Sequence, residues 1–180
     1  MAKSGKIISI LALIIGVSGV SVGGYALIQI NLMGQEQVPE YVLPTARVFL
    51  SFTYDLSSGV TVKFDFSDKS FDSHDAFNLI SDEYIIPETG YYQVFAKYDI
   101  DAIDQDFFVI EIWRNNNMNR SCTYTPAQST NYFSVSIADI ILAEQGDAIS
   151  IWAYIYNDPS ANRTLFAGEQ HTYFSIVKIN

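Results

Sequence analysis

From residue 46 onward the chain alternates with a two-residue rhythm; between residues 7 and 30 it does not alternate at all. The segments ARVFLSF (46–52), VTVKFDF (60–66), EYIIP (83–87), YYQVFAKYDI (91–100), FFVIEIW (107–113), YFSVSIADIIL (132–142), AISIWAYIY (148–156) and TYFSIVKI (172–179) are dense in β-branched and aromatic residues. Such side chains suit a pleated, half-buried surface. Turn formers separate them: Ser57-Ser58-Gly59, Glu88-Thr89-Gly90, Asn115-Asn116-Asn117, Gln145-Gly146-Asp147 and Asn157-Asp158-Pro159. No amphipathic helix is readable after residue 33. Eight to ten strands in about 135 residues predict an all-β sandwich of jelly-roll size.

One strand breaks the expected code. Ile149, Ile151, Ala153 and Ile155 are aliphatic, yet the intervening positions hold Trp152, Tyr154 and Tyr156 instead of polar residues. The segment 91–100 is a milder case, with Val94, Ala96 and Ile100 on one side and Tyr91 and Phe95 on the other. A sandwich strand with one wet face should alternate apolar with polar. The two-sided pattern predicts that Tyr91, Phe95, Trp152, Tyr154 and Tyr156 meet another subunit.

The unbroken run Ile7–Ile30 carries no formal charge. As a helix it would span about 36 Å, enough to cross a hydrocarbon core. Lys3 and Lys6 precede it and the next basic residue is Arg47. That asymmetry places residues 1–6 in the cytoplasm, makes 7–30 a transmembrane signal-anchor and exports the remainder. A cleaved secretory signal is the alternative, with cutting near Gly23-Gly24. Ala12, Gly16, Gly19, Gly23 and Ala26 recur at spacings of four and three, so they share one helical face on which anchors could pack closely. Residues 31–45, with Gly34, Pro39 and Pro44, read as a linker to a domain at 46–180.

Charge and candidate chemistry narrow the function. Beyond residue 30 lie all twenty acidic residues and eight basic ones, about −12 in net charge. Nucleic acid and anionic membrane surfaces repel such a domain. The lone Cys122 permits no intrachain disulfide, so stability must come from a core or from assembly. Asp72-Ser73-His74-Asp75 gathers triad residue types, but neighbours in sequence cannot converge as a triad does. With His74 and His171 the only histidines, a multi-histidine metal site cannot form. No enzyme and no organic cofactor is expected. Asp99, Asp101, Asp104 and Asp106 crowd one connection and are candidate calcium ligands. Asn119-Arg120-Ser121 and Asn162-Arg163-Thr164 are glycosylation sequons in predicted exported loops.

Three stretches together resemble the domain shared by complement C1q and the tumour-necrosis-factor ligands. In "DEYIIPETGYYQVFAKYDI", Tyr84, Pro87, Gly90, Tyr91 and Tyr92 stand where that family carries an aromatic followed by Pro-x-x-Gly-x-Tyr. "ILAEQGDAISIWAYI" resembles its Leu-x-x-Gly-Asp turn through Gly146-Asp147, with Leu142 displaced by one residue. "HTYFSIVKIN" resembles its closing strand through Thr172, Phe174 and Ser175, with Ile176 where glycine is usual. The resemblance covers about residues 46–180 and implies a ten-stranded jelly roll assembling as a trimer, inner-sheet aromatics along the three-fold axis. The expectation is a cell-surface homotrimer that binds an extracellular protein or glycan without catalysis. The alternative is a pilin-like filament subunit, processed after Gly5 or donating residues 35–43 as a strand to its neighbour.

Overall fold

The two-residue rhythm is realised as two antiparallel sheets laid face to face. The computed structural model describes residues 41–103, 105–156 and 162–179, and within them there are thirteen strands and no helix. In chain order they are β1 (Thr45–Phe49), β2 (Tyr54–Leu56), β3 (Thr61–Lys63), β4 (Asp68–Asp72), β5 (Phe77–Asn78), β6 (Glu83–Ile85) and β7 (Gly90–Ala102). Then follow β8 (Phe107–Arg114), β9 (Asn117–Tyr124), β10 (Thr130–Ala143), β11 (Ala148–Tyr156), β12 (Arg163–Leu165) and β13 (Tyr173–Lys178). Sheet I runs β4-β1-β13-β7-β10, with the short β12-β2 pair beside β13 on the same flank of β7. Sheet II runs β5-β6-β11-β8-β9, and β3 shares β6's flank of β11.

The expected ten strands become thirteen because two- and three-residue pieces such as β2, β5 and β12 were too short to show periodicity. The stretch NMNRSCTY, a loop by its polar composition, is strand β9. It is an edge strand exposed along most of its length, so its side chains carry no apolar signature. Its hairpin with β8 turns through Asn115 and Asn116, both at positive φ (52° and 62°), where asparagine is tolerated. Thr45, assigned to the linker, already belongs to β1. The predicted membrane helix 7–30, with Ala12, Gly16, Gly19, Gly23 and Ala26, lies outside the described residues. Among the described residues no helix is long and apolar enough to cross a membrane.

Between the sheets, the even positions of β7 face the odd positions of β11, and these side chains are almost fully buried. Aromatic rings fill the middle: Phe64 lies 5.4 Å from Tyr98, and Phe66 lies 6.1 Å from both Phe77 and Phe174. Each such ring contributes about 1.5–3 kcal/mol by leaving water. The Tyr98 hydroxyl donates to the Val109 carbonyl at 3.2 Å, so the ring is buried without an orphaned polar tip. Ile176, in the glycine position of the resemblance, is buried in this core.

Two polar features fix the ends. Arg163 on β12 grips Asp106, just before β8, through Nε at 2.6 Å and Nη2 at 3.0 Å. Their side chains are 7% and 2% exposed, so this ion pair joins sheet I to the entry of sheet II out of water. At the β10–β11 turn, Asp147 N–H closes on Glu144 C=O at 3.0 Å while Gly146 adopts φ 90°. Glycine meets that demand without strain. Burial alone would raise the pKa of Asp147, but hydrogen bonds from Asn115 and Glu144 N–H and the Arg114 cation hold it below the usual value.

Candidate interaction surface

Strand register decides what each sheet shows to solvent. On sheet I, the odd positions of β7 point outward. Pairing sets Tyr91 opposite Leu142 and Gln93 opposite Ile140 on β10, and Gln93 opposite Val177 on β13. A second row runs Phe71, Arg47, Ser175, Phe95, Ala138 across five strands. Phe71, Tyr91, Ile140, Leu142 and Ile179 are each 46–58% exposed. Tyr91, Ile140, Leu142 and Ile179 cluster at the β7–β10 side of this wall, with Phe71 at its opposite edge, and an exposed apolar cluster of that kind marks a site of association. Phe95 is half-buried because its ring packs 5.6 Å from Tyr173.

The far end of the same face is polar and tightly bonded. Asp99, only 6% exposed, accepts from Ser134 Oγ at 2.6 Å and meets His171 Nδ1 at 2.9 Å and Lys97 Nζ at 3.1 Å. Tyr132 stacks on Phe166 at 4.5 Å beside His171. This end is held by the chain itself.

Sheet II presents a different surface. Trp152 on β11 and Trp113 on β8 stack at 4.8 Å with 29° between their planes. They stand on adjacent strands, two residues out of direct register, and the rings meet across that diagonal. Lys63 Nζ lies 5.5 Å from the Trp152 ring and ion-pairs Glu83 at 2.8 Å. Both indole N–H groups are satisfied, Trp152 by Ser150 Oγ at 3.0 Å and Trp113 by Glu111 Oε2 at 2.7 Å. The two indoles of this face are therefore partnered within the chain. Tyr154 is half-buried, and Tyr156, beside Phe107, is exposed at the end of the strip.

The structure divides the five aromatic residues expected to form one interface. Tyr91 and Phe95 lie on the outer face of sheet I; Trp152, Tyr154 and Tyr156 lie on that of sheet II. The sandwich core separates the two groups, so they do not form one patch. The alternation shows that both strands are two-sided but not that they belong to different sheets. It also missed Ile140, Leu142 and Arg47. The first two were legible as apolar residues on the second face of "ADIILA"; Arg47 gave no signal.

The candidate chemical groups are scattered. Asp106 is bound to Arg163, Asp99 to Lys97 and His171, and Asp101 accepts from Thr164 N–H. Asp104 lies outside the described residues. The three described carboxylates are thus held by protein partners and do not turn toward one point. Among the described residues no group of three His, Cys, Asp or Glu side chains could hold a metal ion.

His74 bonds its neighbour Ser73 at 2.8 Å, and Ser73 in turn donates to Leu43 C=O at 3.1 Å. Asp72 holds Lys69 at 2.9 Å together with the N–H groups of Ala76 and Phe77, so these residues shape a loop. Asn119 stands exposed on strand β9, not in the predicted loop, because the strand lies at a sheet edge; Asn162 is exposed just before β12. Cys122 is partly buried against the core as a free thiol.

No protein-family model and no curated protein sequence matches the chain. Solved structures do. The globular domain of zebrafish complement 1qA protein superposes with a TM-score of 0.55 at 14% identity, covering 76% of this chain and 98% of that one. Murine APRIL gives 0.56 at 14% identity, covering 77% and 100%, and the Eiger TNF of S. frugiperda gives 0.57 at 12%, covering 78% and 94%. The chain has the C1q/TNF-like jelly-roll fold.

Proposed function

We propose that this protein is a non-catalytic recognition module, carried on the cell surface by its N-terminal segment and assembled as a homotrimer through the outer face of sheet I. The observation that carries the reading is the exposed apolar cluster Tyr91, Ile140, Leu142 and Ile179, with Phe71 at the opposite edge of the same wall of a C1q/TNF-like sandwich. Covering those side chains removes apolar surface from water, and the fold resemblance implies three-fold closure as the way to do it. The self-stacked indoles of sheet II then face outward. The loops, which in this fold vary freely, meet an extracellular protein or glycan. The charge-free run at residues 7–30 supports export and anchoring. Native mass measurement on the full chain in detergent tests the assembly: a particle of three chains is expected, and a single chain at micromolar concentration overturns it.

A further inference from the structure

Arg47 stands apart from the other cations. Every other lysine and arginine among the described residues lies within 3.1 Å of a carboxylate oxygen. Among the described residues Arg47 has no carboxylate partner, in a chain whose acidic residues outnumber its basic ones two to one. It lies on β1 in the middle of the sheet I face, with its guanidinium carbon 3.9 Å from the Tyr173 ring centre. Its Nη2 donates to Glu169 C=O at 2.7 Å, whereas its Nε is buried and donates to nothing. Beside it opens a groove of about 430 Å³ lined by Arg47, Phe71, Gln93, Phe95, Ser175 and Val177. The site thus combines a guanidinium and apolar walls with room for a small side chain.

We infer that this groove receives a carboxylate side chain from a neighbouring copy of the chain. The inference rests on the proposed assembly and adds a requirement to it. A copy that covers the sheet I face also takes Arg47 out of water, and a desolvated guanidinium without a counter-charge is strongly unfavourable. A planar fork bonds a carboxylate through two parallel N–H groups. A second copy brings the surplus of carboxylates that the first one lacks at this point. The contact sets register as well as affinity, because a charge within an apolar wall must be matched.

Arg47→Lys in the full chain, treated in detergent with a water-soluble carbodiimide, tests the pairing. The reagent condenses an amine with a carboxyl in direct contact into an amide. Covalent dimers and trimers joined from position 47 to an Asp or Glu of the other copy are expected. Arg47→Glu should raise the concentration needed for assembly at least tenfold. Should that variant misfold, Arg47→Met, whose stem still lies on Tyr173, serves for the same comparison. If the native particle holds three chains but no interchain link forms at position 47 and assembly shifts less than twofold, the carboxylate pairing is overturned and the trimer stands. If the wild-type particle is one chain, the trimer reading fails and the pairing with it.

Discussion

The two outer faces of the sandwich begin from the same sequence pattern and end differently. On sheet II, Trp152 and Trp113 sit on adjacent strands and bury each other, with Lys63 closing the row. On sheet I, Ile140, Leu142, Tyr91 and Phe71 remain open to water. The difference lies in shape and spacing. Two indoles one strand apart can stack through their whole flat sides, whereas branched aliphatic side chains on a pleated surface leave their outer ends bare. Greasy residues on an outer strand face are thus a sign of an interface only after their lateral neighbours have been counted.

The largest effect expected in breaking this comparison comes from the frame that holds both faces apart. Asp106→Ala strands the Arg163 guanidinium in the interior and should cost about 3–5 kcal/mol in denaturant unfolding. Next comes the contrast itself. Ile140→Asp with Leu142→Asp should weaken assembly about a hundredfold or more, roughly 2.7 kcal/mol, whereas Tyr156→Asp on sheet II leaves the native mass unchanged. Equal effects from the two faces would abolish the distinction. Trp152→Ala should do the reverse of the sheet I pair, lowering unfolding stability by about 2 kcal/mol through lost ring burial while the oligomer count holds.

The smallest effect sharpens the picture at the flank of sheet II. Burial, and then the nearby Asp65 charge, push Asp82 up to about 6 from an ordinary 3.8, and its buried Oδ1 accepts from no donor. The folded protein therefore holds a proton that the unfolded chain has released between about pH 4 and pH 6. Stability falls as pH rises through that window. Asp82→Asn should flatten the slope and, after allowance for solvent screening, add about 1 kcal/mol at pH 7 and nothing at pH 4. Its φ of 53° suits asparagine, so the backbone is not disturbed. Melting temperatures at the two pH values give the comparison.

Much of the fold was legible beforehand because burial repeats along a strand. The aliphatic positions of β11 and the even positions of β7 announce their inner faces, and Gly146-Asp147 marks the turn between β10 and β11. Strand β9 was not legible, since an edge strand wet on most sides has nothing apolar to show. The aspartates at 99, 101 and 106 looked like one site because they are close in sequence. The fold gave them separate partners in Lys97 and His171, Thr164 and Arg163.

By itself the sequence determined an all-β sandwich, its inward-facing residues and the surplus of negative charge, because these depend on periodicity and composition within short windows. Which sheet each strand joined was decided only in three dimensions. Strand pairing links residues as far apart as Arg47 and Ser175. That pairing put Tyr91 and Phe95 on one wall and Trp152 on the other, and left Arg47 with an aromatic ring but, among the described residues, no carboxylate. Alternation tells a side chain which way to point, but its neighbours on that face come from distant strands, and only the folded chain brings them there.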